Sequence, residues 1–107
     1  MADQAEEHAV IVYFDYKKPD LKPLHKLADT LEKIINDHSV GEYDGHEMAV
    51  NYNDGILYMY GPNAETLFKA IKPVLEATDY MQGAIAKLRF GPHEDGVKEI
   101  EVQIGLH

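Results

Sequence analysis

Carboxylates and an imidazole alternate over a short stretch near the middle of the sequence, where they could bind a metal or move a proton. Glu42, Asp44 and His46 stand two residues apart, so on an extended strand their side chains would lie on one side. Two carboxylate oxygens and one imidazole nitrogen suit a hard or borderline cation. The strand order predicted below brings His93 to the same end of the sheet. These four residues are the candidate metal ligands, and His46 beside Asp44 or Glu47 has the residue types of a general base and its orienting group.

The same stretch also fits a solvated surface without chemistry. The chain has 19 Asp and Glu against 10 Lys and Arg, a formal net charge of −9, and most carboxylates at a loop-rich end are solvated. Dense ligand spacing such as His-Glu-x-x-His is absent, and Gly45 inside the stretch suggests a bulge. Cysteine, a glycine-rich phosphate loop and any serine besides Ser39 are also absent. We therefore expect no cofactor, and an enzyme is the less favoured class.

The elements that must position these residues follow from hydrophobic periodicity. The run from Ala9 to Tyr16 is β-branched and aromatic on both alternating faces, as in a central strand. Apolar residues recur at helical spacing from about Leu21 to His38. A hairpin is predicted over residues 42–60, with its turn at Asp54-Gly55. Asn63 is a candidate N-cap for a second helix, and two further strands follow around residues 84–90 and 97–104. Residues 1–7 are predicted to be a disordered lead-in to a single α+β domain over residues 8–107.

The order β-α-β-β-α-β-β predicts a ferredoxin-like α+β fold. Its five-stranded antiparallel sheet has the strand order 2-3-1-4-5, and both helices cover one face. Strand alternation then assigns one set of residues to the opposite face, which we call the helix-free face, and from that set we select the candidate partner-binding residues: Tyr13, Ile56, Tyr58, Tyr60, Lys87 and Arg89. With Ile11 and Ile85 beside them, they form a surface too apolar to be left wholly in water.

A tyrosine-rich face of this kind favours protein association, because tyrosine contributes a large contact area at a low entropic cost. A non-enzymatic binding or regulatory module is the first hypothesis, with a homodimer or another homo-oligomer as its default form. In the alternative without a binding role, the C-terminal tail or the tyrosine hydroxyls alone make the face compatible with water. Two functional alternatives stay open. One is a small metal-binding protein or enzyme that uses the end of the sheet with Glu42, Asp44, His46 and His93, and the other is an acidic inhibitor or immunity-type protein that docks on a basic partner.

Charge and hydropathy limit the other partners. A net charge of −9 opposes binding to nucleic acid and to anionic membranes, and the basic-aromatic signature of an RNA-binding sheet is missing. The apolar runs are only a few residues long, so no membrane-spanning segment or signal peptide is predicted. We expect a soluble cytoplasmic protein with no nucleic acid or membrane partner.

Four segments resemble a group of small, acidic bacterial proteins that has no assigned activity. They are GEYDGHE (41–47), DGILYMYGP (54–62), LFKAIKPVLEA (67–77) and GAIAKLRFGPHEDGVKE (83–99). The resemblance implies a compact bacterial α+β domain and carries over no catalytic residue. Most of the residues on which it depends are glycine, proline and aspartate, which turns require in any case.

Overall fold

Five strands and two helices follow one another along the chain in the predicted order. The computed structural model describes residues 7–92 and 96–105. The elements are β1 (His8–Asp15), α1 (Lys22–His38), β2 (Glu42–Met48), β3 (Asp54–Gly61), α2 (Ala64–Glu76), a 3₁₀ turn (Asp79–Met81), β4 (Ile85–Arg89) and β5 (Glu99–Gln103).

The strands form one antiparallel sheet in the order β2-β3-β1-β4-β5, which confirms the predicted α+β fold. β1 lies in the centre, as expected for a strand that is apolar on both alternating faces from Ala9 to Phe14. β2 and β5 are the two edges, and both are rich in glutamate. Charged residues on an edge strand discourage pairing with further strands.

Both helices pack on one face of the sheet, which we call the covered face. Leucine and isoleucine side chains of α1 and α2 join alternate strand residues in a single core, whose fully buried members include Leu31, Ile71, Val10, Val12, Leu57 and Met59. Burying one such side chain contributes about 1.5–3 kcal/mol to the free energy of folding. The prediction of which strand residues face the helices is confirmed for these positions.

The turn of the β2–β3 hairpin lies earlier than predicted. The chain reverses over residues 49–53, and Asp54 and Gly55 are already the first two residues of β3. The positive φ of the turn, 61°, belongs to Tyr52. Glycine is required at position 55 for space, because a Cβ there would lie 2.9 Å from the backbone carbonyl oxygen of Glu47 and would also meet the side chain of Met48. The hairpin is confirmed, but the predicted turn position is wrong.

Both helices in the described part of the chain are too short or too polar to cross a membrane.

Candidate functional site

The predicted metal ligands do not share one side of β2. The pairing of β2 with β3 shifts at Asp44, which is the extra residue of a β-bulge. Before the bulge Glu42 pairs with Tyr60, and after it His46 pairs with Leu57. Tyr60 and Leu57 are three residues apart on β3, so their side chains lie on opposite faces of the sheet. The prediction that Glu42 and His46 point to one side is therefore wrong, because the bulge interrupts the alternation.

Within residues 7–92 and 96–105, no group of three or more His, Asp or Glu side chains is placed to hold a metal ion. The fourth candidate ligand, His93, lies outside the described residues. His8, the first residue of β1, has a structural contact: its Nδ1 accepts a hydrogen bond of 3.0 Å from the backbone N–H of Ala64. It thus satisfies one of the unpaired donors at the start of α2.

His46 lies on the covered face, beside α1. Its Nδ1 is 2.9 Å from the hydroxyl of Tyr43, and its ring centroid is 6.1 Å from that of His25 on α1. Burial, and secondarily the neighbouring His25, lower the pKa of His46, whereas burial raises the pKa of Tyr43 to about 12. The contact between the phenol and the imidazole therefore lies within β2, and the ring of His25 is the neighbour that α1 supplies. Among the described hydrogen bonds none joins His46 to a carboxylate, so the predicted orienting pair is not formed there.

The helix-free face is ordered into three rows of directly opposed residues that cross the sheet from β5 to β2. The first row is Glu99, Arg89, Ala9, Tyr60 and Glu42. The second row is Glu101, Lys87, Ile11, Tyr58 and Gly45. The third row is Gln103, Ile85, Tyr13, Ile56 and Glu47. All six predicted partner-binding residues thus lie on one surface, with an apolar and aromatic centre and glutamates at both edges.

The exposed fraction varies along this surface. Tyr13 is 40% exposed, while Ile56 and Tyr58 are half-buried by their neighbours. Arg89 is only 9% exposed and donates from Nε to the carbonyl of Gly91 at 2.8 Å. Strand alternation predicted Arg89 to be an exposed partner-binding residue. Its side chain is instead largely buried, and its hydrogen bond to Gly91 stabilises the chain where β4 ends. The third row therefore offers more free aromatic surface than the first.

A hydrogen bond fixes Tyr58 on this face. Its hydroxyl donates to Oε1 of Glu47 at 2.8 Å. This bond, more than burial, raises the pKa of Tyr58 to about 12, because ionising the phenol would place two negative charges in contact. The edge glutamate and the central tyrosine thus form one rigid unit of the surface.

A pocket of about 480 Å³ opens at the end of the helix-free face beside the third row. We call it the Tyr13 pocket; the lining residues used below are Tyr13, Asp15, Asp54, Ile56, Gln82 and Ile85. Sequence reasoning missed the contribution of Asp15 and Asp54, which lie directly opposite each other on β1 and β3. The sequence did indicate the position of Asp15, because Asp15 continues the alternation of Ile11 and Tyr13 on the helix-free face. Its pairing with Asp54 was missed because Asp54 was predicted to lie in the hairpin turn and not in β3.

No protein-family model, curated protein or solved structure matches this chain.

Proposed function

We propose that this protein is a binding module that docks a basic protein partner on the helix-free face of its sheet. The observation that carries the proposal is the composition of the three rows, in which an apolar, tyrosine-rich centre lies between two acidic edges. A partner with an apolar strip flanked by lysine or arginine would complement this surface. Its apolar strip would pack on the tyrosine-rich centre, and its basic residues would lie opposite the acidic edges.

The negative charge is concentrated on this face and not on the helices. α1 carries three lysines and three carboxylates, and α2 carries two of each. The helix-free face has six carboxylates against two basic side chains, and these are Asp15, Glu42, Glu47, Asp54, Glu99 and Glu101 against Lys87 and Arg89. Such a distribution attracts a basic partner to one surface of the molecule and speeds its association.

The same charges disfavour a second copy of the chain as the occupant. A two-fold stack of two sheets centred on β1 places β2 over β5, or places each edge strand over its own counterpart. Glutamates meet glutamates in both arrangements, because both edges carry them on this face. Like charges opposed across an interface oppose association. We therefore favour a basic partner over the homodimer that the tyrosines alone suggested.

Binding to a defined probe tests the proposal. The probe is an amphipathic peptide that alternates lysine and leucine, and its control replaces each lysine with glutamate. In an NMR titration of the labelled protein, the lysine peptide is expected to shift signals of the helix-free face, and Tyr58→Asp is expected to weaken its affinity by about tenfold or more. The affinity is also expected to fall as salt is added.

Two results would contradict the proposal. In the first, the lysine peptide shifts signals of the two helices and leaves the helix-free face unchanged. In the second, sedimentation of the free protein shows a dimer that Tyr58→Asp converts to monomer, so that a second copy and not a basic partner is the occupant. Asn36→Asp on the exposed side of α1 serves as the matched control, since it adds one negative charge, as Tyr58→Asp does, but away from the face.

A further inference from the structure

The lining of the Tyr13 pocket combines apolar side chains with two carboxylates. The ring of Tyr13 and the side chains of Ile56 and Ile85 supply the apolar surface. Asp15 and Asp54 are opposed in the ladder and both are exposed. The volume, about 480 Å³, lies within the range of about 300–1,000 Å³ that is usual for ligand pockets.

The opposed aspartates lack a basic partner among the residues that the structure describes. The three ion pairs found there, with N–O distances of 4.0 Å or less, join Lys18, Lys33 and Lys72 to other carboxylates. Like charges directly opposite each other on neighbouring strands destabilise a sheet. A cation bound between Asp15 and Asp54 would remove this repulsion.

The aromatic wall is of a kind that accepts a cation. Nζ of Lys87 lies 5.9 Å from the centroid of the Tyr13 ring, within the range of a cation–π interaction. On the other side of the pocket, Gln82 is held in place, since its Nε2 donates to the carbonyls of Glu76 and Thr78 at 2.7 and 3.1 Å. These two hydrogen bonds fix the position of Gln82 in the pocket wall.

From this geometry we infer that the Tyr13 pocket anchors a lysine or arginine side chain of the basic protein partner. The aliphatic part of that side chain packs on Tyr13, Ile56 and Ile85, as long basic side chains do on apolar surfaces. Its charged group reaches Asp15 and Asp54 and makes charge-assisted hydrogen bonds. The inference rests on the proposed docking of a basic partner and names the point at which that partner is held.

Isosteric variants distinguish binding of a basic side chain in the Tyr13 pocket from electrostatic attraction to the whole helix-free face. Asp15→Asn and Asp54→Asn remove one charge each inside the pocket, and Glu99→Gln removes one charge at the opposite end of the helix-free face. We expect each aspartate variant to weaken binding of the lysine–leucine peptide by about tenfold, as for loss of a hydrogen bond to a charged group. Glu99→Gln is expected to weaken it by less than about twofold, as for an exposed charge.

A single-residue probe tests the pocket without the rest of the partner. Nα-acetyl-lysine-N-methylamide is expected to shift the NMR signals of Tyr13, Ile56 and Ile85, and the uncharged norleucine analogue is expected to leave them unchanged. Equal weakening by all three charge variants, or equal shifts with lysine and norleucine, would overturn the inference. In that case peptide binding to the helix-free face would still support the proposed function. If the peptide does not bind, the proposed function fails, and the lysine probe alone then decides whether the pocket accepts a cation.

Discussion

The two faces of the sheet are made from alternate residues of the same strands, yet they differ in how far their side chains are buried. On the covered face, Val12 and Leu57 are fully buried among helix side chains. On the helix-free face, their chain neighbours Tyr13 and Ile56 remain partly exposed beside carboxylates. The covered face therefore accounts for most of the stability, while the helix-free face is free to retain residues suited to binding. Five experiments test this contrast.

Truncation of neighbouring residues should separate stability from binding. Leu57→Ala empties a fully buried position and is expected to lower the free energy of unfolding by about 2–5 kcal/mol. Ile56→Ala removes a half-buried side chain and is expected to lower it by about 1 kcal/mol. Denaturant unfolding measures both. For the lysine–leucine peptide the order reverses: Ile56→Ala weakens binding, and folded Leu57→Ala binds as the wild type does. An equal stability loss for the two variants would contradict the contrast.

Two tyrosines with similarly raised pKa values should respond differently to one substitution. The pKa of Tyr43 is raised to about 12 by burial, and that of Tyr58 to about 12 by the hydrogen bond to Glu47. In Glu47→Gln, an alkaline NMR titration is expected to show the pKa of Tyr58 falling toward its ordinary 10.0, while that of Tyr43 is unchanged. A fall at both tyrosines would mean that the two faces share one electrostatic environment.

The raised pKa of Tyr43 also makes the stability of the protein depend on pH. Because the folded-state pKa of Tyr43 lies above the ordinary 10.0, the unfolded chain loses this proton first as the pH rises. The stability that Tyr43 contributes is complete below pH 10.0 and is lost as the pH approaches about 12. The free energy of unfolding of Tyr43→Phe, measured by denaturant unfolding at several pH values, is therefore expected to fall less steeply in that window than that of the wild type.

Removing one of the opposed aspartates should stabilise the free protein. Asp15→Asn ends the repulsion with Asp54, its partner in the ladder, and is expected to raise the free energy of unfolding by about 0.2–1 kcal/mol. The same variant is expected to bind the lysine peptide less well, so stability and binding move in opposite directions. Glu99→Gln, opposite Arg89, is the matched control and should not gain stability. Destabilisation by Asp15→Asn would show that Asp15 has a structural partner.

The smallest effect is expected at His46, on the covered face. Its folded-state pKa is lowered, mainly by burial, so below the ordinary value of 6.5 the unfolded chain takes up a proton that the folded protein resists. Stability is expected to fall as the pH drops from 6.5 through the lowered pKa. Unfolding of His46→Gln at several pH values should show a weaker dependence than His38→Gln, in which an exposed histidine is replaced. The same pH dependence in both variants would contradict this assignment.

Much of the helix-free face was predictable because it depends on a local property. In a strand, successive side chains point to opposite faces, so the positions of Tyr13, Tyr58 and Lys87 on one surface followed once the strands were recognised. Arg89 shows the limit of the method. Alternation assigned it to the correct face, but it did not predict that Arg89 is only 9% exposed and donates a hydrogen bond to the carbonyl of Gly91.

The prediction that Glu42 and His46 share one side of β2 was wrong for a related reason. Alternation holds only while the strand stays in register, and the bulge at Asp44 separates Glu42 from His46. Gly45 suggested a bulge, but the sequence does not say which residue becomes the extra one, because that depends on the pairing with β3.

By itself, the sequence determined the element types, the strand order and the face on which most strand residues lie, since hydrophobic periodicity and turn chemistry are encoded along neighbouring residues. Only the tertiary structure decided which residues stand opposite one another. The opposition of Asp15 and Asp54 and the pocket beside Tyr13 arise from the hydrogen-bonded register between β1 and β3. That register is fixed by contacts between residues far apart in the chain, and a displaced turn of a residue or two changes every pairing.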